Sequence, residues 1–159
     1  MIRRWGAGIT TIVHGQSEAN LRRIMAHPRT AIASDGWVFG PAAEGLPHPR
    51  NYGTFPRVLG RYVRDERVLT LTEAIRKMTS LPASRLNLDR RGVVTPGHIA
   101  DLALFSPAAV ADAATFERPQ QFCHGMNAVI VAGQVVYRDG QDTGARPGRL
   151  LRQHGGRVT

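Results

Sequence analysis

Between Gly8 and Gly36 two short apolar runs flank one amphipathic stretch, and this order limits the architectures open to the chain. Gly8 to His14 (GITTIVH) is rich in β-branched residues and reads as a strand. Ser17 can cap a helix whose apolar residues Leu21, Ile24 and Met25 fall at helical spacing. Glu18 lies in its first turn, where the helix dipole favours an anion, and His27-Pro28 stops it. Ala31-Ile32-Ala33, bounded by Pro28 and Gly36, is too short for a helix and fits a strand buried on both faces. Strand, helix, strand makes one βαβ unit with a right-handed crossover and therefore an α/β fold. Asp35 then stands at the carboxyl end of the second strand. In barrels and parallel sheets that end carries the chemistry, so Asp35 is the candidate catalytic residue. The same Asp-Gly also suits an ordinary turn or a tight hairpin, because both residues tolerate unusual backbone angles.

Trp37 to Thr54 carries Pro41, Pro47 and Pro49 with glycines at 40, 45 and 53, and reads as a long irregular, lid-like loop. Phe55, Val58, Leu59, Tyr62 and Val63 mark one face of a helix with Pro56 in its first turn. Thr70 and Glu73 have capping-box spacing, and Leu71, Ala74, Ile75 and Met78 continue the apolar stripe. Pro82 can open a further short helix. From Gly92 the texture turns to β. Ala100 to Phe105 reads as a strand, Ala128 to Tyr137 as a hairpin split by Gly133-Gln134, and Arg146 to Thr159 as a loose basic tail. The domain boundary is placed there, with residues 1–92 α/β and 93–159 a small β domain.

A complete eight-stranded α/β barrel takes roughly 250 residues, and this chain has 159. A single cysteine, Cys123, rules out an internal disulfide and reads as a small buried apolar residue. The formal charge of +9 raises nucleic acid as a partner, but the arginines are scattered from Arg3 to Arg157 with few aromatics between them, which argues against it. Lys77 is the only lysine. No apolar run approaches the ~20 residues of a membrane span and no signal-peptide core follows Met1, so the expectation is a cytoplasmic protein that binds neither membrane nor nucleic acid.

Four segments together resemble one family. SEANLRRIMAHPRTAIASDG (Ser17 to Gly36) resembles the end of the catalytic barrel in the N-acyl-D-amino-acid deacylases of the metal-dependent amidohydrolase superfamily. HPRNYGTFPRVLGRYVR (His48 to Arg64) is similar to the lid and helix that follow it there. PGHIADLALF (Pro96 to Phe105) resembles the strand that returns to the superfamily's small β domain, and VIVAGQVVYRDG (Val129 to Gly140) that domain's closing hairpin. The resemblance implies the last strands and helices of a TIM-like (β/α)8 barrel followed by part of a small β-sandwich domain. It implies hydrolysis of N-acyl-D-amino acids, with Asp35 moving a proton beside a Zn²⁺-bound water, as a ligand of that ion or close behind one. It also implies that His48 approaches substrate.

No His-x-His pair, with which the superfamily's zinc ligands begin, occurs in this sequence. Three protein ligands make a catalytic zinc site, and only Asp35 is assigned near one. The expectation is therefore the carboxyl-terminal part of such an enzyme, inactive alone. Its amino-terminal barrel portion would be supplied in cis or in trans. A cyclic amidase of the same superfamily, or a non-catalytic module acting through its barrel edge, stands as the alternative.

Overall fold

A computed structural model describes residues 12, 15–39, 45–154 and 156–158. The expected first strand, Gly8 to His14, lies outside the described residues except for Ile12. Helix α1 (Glu18–Ala26) starts where Ser17 Oγ accepts the Asn20 amide at 3.2 Å and ends at His27. Helix α2 (Arg50–Arg57) runs directly into a π-helical stretch, Val58–Asp65, in which Glu66 N donates to Arg61 O at 2.8 Å. Pro56 lies near the end of α2 and has no amide hydrogen for the carbonyl four residues back, and the ladder widens just after it. Helices α3 (Leu71–Met78) and α4 (Ser80–Arg85) follow, α3 capped by Thr70 Oγ1 accepting from Glu73 N at 3.2 Å.

An antiparallel sheet of four strands, β1 (Leu102–Phe105), β2 (Met126–Val131), β3 (Gln134–Arg138) and β4 (Gln141–Asp142), runs in sequence order. The β2–β3 turn falls on Ala132 and Gly133, with φ of 48° and 80°. Positive φ at both central residues suits the right-handed twist of a hairpin. The turn is thus one residue earlier than the sequence suggested. A pair of two-residue strands, β5 (Gln153–His154) and β6 (Arg157–Val158), ends the chain. The tail is tied down there: Asp89 N donates to Val158 O at 2.8 Å and Val158 N to Asn87 O at 2.9 Å.

Two sequence expectations are corrected. The long loop is not irregular to Thr54, because Arg50 to Thr54 are helical. Pro49 precedes the helix with helical backbone angles, and His48 Nδ1 accepts from Arg50 N at 3.0 Å. Ala31 to Ala33 is not a ladder strand. A strand needs a paired neighbour, and here the Ile32 amide donates at 3.0 Å to the carbonyl of Lys77, in the last turn of α3.

The core consists of Met25, Val58, Leu59, Tyr62, Leu69, Ala74 and Val110, with Ile32, Ile75, Met78 and Phe105 packed on it. Each full burial of such an apolar side chain stabilises by roughly 1.5–3 kcal/mol. Val110 brings the segment after β1 into the same core as the helices, so packing continues across Gly92. Gly60 permits the contact, since a Cβ there would lie 2.7 Å from the Val110 carbonyl oxygen. An ion pair and a hydrogen bond close the join: Arg57 meets Asp112 at 2.8 Å, and Arg64 Nη1 donates to Val110 O at 2.7 Å.

Candidate active site

Asp35 stands between two fixed segments. Upstream, Ile32 is packed on the core and hydrogen-bonded to α3. Downstream, the chain is gripped by the start of α2. Trp37 N donates to Asn51 Oδ1 at 2.5 Å, and Asn51 Nδ2 donates to the His48 carbonyl at 2.8 Å. Gly36 allows this approach, because a Cβ there would lie 3.0 Å from Asn51 Oδ1 and 3.1 Å from its Cα. Asp35 itself has a φ of 47°, in the left-handed region that aspartate enters more readily than most residues. Ser34 Oγ accepts the Gly36 amide at 3.1 Å and completes the turn.

The Asp35 carboxylate projects outward, 85% exposed, and Arg50 Nη1 lies 3.0 Å from its Oδ2. Of the two readings of this stretch, the structure shows the turn, and that tight turn presents the carboxylate. A carboxylate with one directional cationic partner and open access can exchange a proton with a bound molecule.

His48 is half-buried, with its ring edge-on to Phe116 at 5.3 Å between centroids. Tyr52, one turn further along α2, makes a similar contact with Phe122 at 5.9 Å. These two contacts seat α2 on the segment between β1 and β2. Trp37 and Phe39 stack at 6.2 Å beside Asp35, with Trp37 largely exposed. Sequence reasoning missed Arg50 and Asn51. The signal was Pro49, a residue that commonly opens helices, two places after another proline.

The remaining histidines are dispersed. His27 Nδ1 accepts the Arg29 amide at 3.3 Å, as befits the residue that ends α1. His124 exchanges backbone hydrogen bonds with Ala111, and His98 is half-buried in the turn ahead of β1. His14 lies outside the described residues. Cys123 is half-buried, and burial pushes its thiol pKa up, which disfavours the nucleophilic thiolate. Among the described residues no three His, Cys, Asp or Glu side chains gather into a group that could hold a metal ion. The donor set present does not fit a catalytic zinc, and Asp35 has a cation as its neighbour instead of a second ligand. Among the described residues no helix is long and apolar enough to cross a membrane.

The amidohydrolase family profile matches residues 2–137. The chain belongs to the amidohydrolase family. It is 48% identical over 135 residues to an N-acyl-D-aspartate deacylase of Alcaligenes xylosoxydans xylosoxydans, covering 84% of this chain and 26% of that protein. It is 46% identical over 134 residues to a D-aminoacylase of the same organism, covering 84% of this chain and 27% of the relative. Among solved structures, an N-acyl-D-glutamate deacylase of Bordetella bronchiseptica, complexed with zinc and a phosphonate mimic of the tetrahedral intermediate, superposes with a TM-score of 0.77 at 42% identity. That match covers 87% of this chain and 28% of the other. This amidohydrolase chain thus spans about a quarter of the length of the curated relatives it matches.

Proposed function

We propose that the chain is the carboxyl-terminal portion of an N-acyl-D-amino-acid deacylase. Residues 1–92 supply the last strands and helices of its (β/α)8 barrel, and 93–159 part of its small β-sandwich domain. The observation that carries this reading is the 46–48% identity, over 84% of the chain, to two enzymes named for that activity. In this reading, Ala31 to Ala33 becomes the eighth barrel strand once earlier strands lie beside it, and Asp35 sits on the barrel's rim.

The chemistry assigned to this chain is proton movement. Asp35 takes a proton from the attacking water as the C–O bond forms and delivers it to the leaving nitrogen as the C–N bond breaks. The products are a carboxylate and a D-amino acid. Arg50 holds the carboxylate in direction, and half-buried His48, two residues before it, is the further candidate for substrate contact. Metal ligands are assigned to an amino-terminal barrel portion, in cis or in trans, because the described residues bring no such group together.

The test joins the chain to the amino-terminal portion of the N-acyl-D-aspartate deacylase and follows release of free amine from N-acetyl-D-aspartate, N-acetyl-D-glutamate and their L-enantiomers. Turnover of D-substrates with none of the L-forms is expected. Turnover of a cyclic amide alone would overturn the assignment.

A further inference from the structure

Lys77 is the only lysine in the sequence and its side chain is fully buried. Its amino group donates to the His27 carbonyl and, at 3.1 Å, to the Thr30 carbonyl, and lies 3.6 Å from Glu73 Oε1. An ammonium has three donors, and three oxygens face this one. Burying such a group is costly unless its hydrogen bonds are made, and here these contacts make them.

Those contacts fall on one stretch of chain. Besides the His27 and Thr30 carbonyls held by the side chain, the Lys77 backbone carbonyl takes the Ile32 amide at 3.0 Å. Next to it, Arg76 Nη2 donates to the Pro28 carbonyl at 2.6 Å. The end of α3 therefore clamps residues 27–32, and only Ala33 and Ser34 separate the clamp from Asp35. On the far side of Asp35, Asn51 holds Trp37. Asp35 is a short span between two anchors, and the upstream one centres on a single side chain.

We propose that Lys77 is a positioning residue: through the carbonyls of His27 and Thr30 it fixes the segment that presents Asp35. The proposal rests on the assignment of Asp35 to proton transfer, and it is separable from it because the clamp is measurable without any activity. Arginine cannot replace Lys77 in a closed site shaped for a slim ammonium. Glutamine, with two amide donors and no charge, can partly replace it.

Three measurements test this on the full 159-residue chain and on the polypeptide that carries the activity. An amine-reactive ester has one lysine target, and labelling of Lys77 in the native chain should be at least 100-fold slower than in urea; equal rates would overturn the burial and the clamp. Hydrogen exchange of peptides spanning residues 28–36 should speed up at least tenfold in Lys77→Met and less in Lys77→Gln, with helix α3 unchanged. Unchanged exchange at 28–36 overturns the clamp, whether or not the native protein hydrolyses amides. In the active polypeptide, Lys77→Met should lower kcat tenfold or more at constant KM, with partial recovery in Lys77→Gln. Faster exchange with full kcat overturns the link to Asp35. No hydrolysis by the chain joined to its amino-terminal barrel portion, with Lys77 in place, instead overturns the deacylase assignment, and exchange still decides the clamp. Should Lys77→Met not fold, the labelling rate and the Gln variant decide it.

Discussion

Asp35 Oδ2 and Arg50 Nη1 lie 3.0 Å apart although fifteen positions separate them in sequence, and both side chains are open to solvent. An exposed ion pair contributes only about 0–1 kcal/mol to stability. The pair is thus better suited to aiming a carboxylate than to holding a fold together. Arg50→Met should leave the urea midpoint of the chain nearly unchanged. In the polypeptide that carries the activity it should lower kcat/KM about tenfold or more, since aiming a reacting group contributes strongly to rate. A large shift in the urea midpoint with unaltered kinetics would reverse the roles.

Gly60 marks the place where the helical layer touches the segment after β1. A methyl group there would lie 2.7 Å from the Val110 carbonyl oxygen, a backbone atom that cannot rotate away. Gly60→Ala should destabilise by about 1–3 kcal/mol, the usual cost of overpacking, read as a lower melting temperature. Gly133→Ala is a poor control because of its φ of 80°, but Gly148, where an added Cβ meets open space, is a good one.

Thr70 caps α3, the helix that carries Lys77. Removing the cap in Thr70→Ala should cost about 1 kcal/mol. Thr70→Ser keeps the oxygen that accepts the Glu73 amide and should cost much less. Equal losses in the two variants would show that the methyl group and not the cap matters.

One carboxylate, Glu66, ties α1 to the π-helical stretch, and another, Glu73, pairs within α3. The guanidinium groups of Arg22 and Arg61 hydrogen-bond Glu66 and hold its pKa at about 2, and Arg76 does the same for Glu73. The folded pKa values lie below the ordinary 4.5, so these pairs stabilise the fold fully above that pH. The contribution is lost as pH falls from 4.5 through about 2. Melting temperature should therefore drop across that window, less steeply in Glu66→Gln. Added salt should flatten the drop, because the groups are partly open to solvent.

Much of this layout was legible from local chemistry. Ser17, Thr70 and the β2–β3 turn follow rules that act over a few residues, and each formed within one or two positions of its expectation. Ala31 to Ala33 did not become a ladder strand, because ladder pairing depends on neighbours the local sequence does not specify. The start of α2 was hidden by Pro49 and Gly53, residues that read as loop until the capping contact from His48 Nδ1 is seen. Asp35 was proposed from its position after a short apolar run, but its partner Arg50 was not singled out, since the turn that brings them together has no local signature. Lys77 stood out in the sequence only as the single lysine, because a lysine on a helix ordinarily faces water and its burial is decided by the chain folded over it.

Replacing Asp35 by asparagine tests the deacylase assignment most directly. Asparagine accepts the same left-handed backbone and removes only the proton-accepting carboxylate, so the circular dichroism and melting of the chain should be unchanged. In the polypeptide that hydrolyses N-acyl-D-amino acids, kcat should fall by about 10²–10⁴-fold, the usual contribution of a general acid–base group. Hydrolysis at the native rate by the Asp35→Asn protein would contradict the role given to this residue.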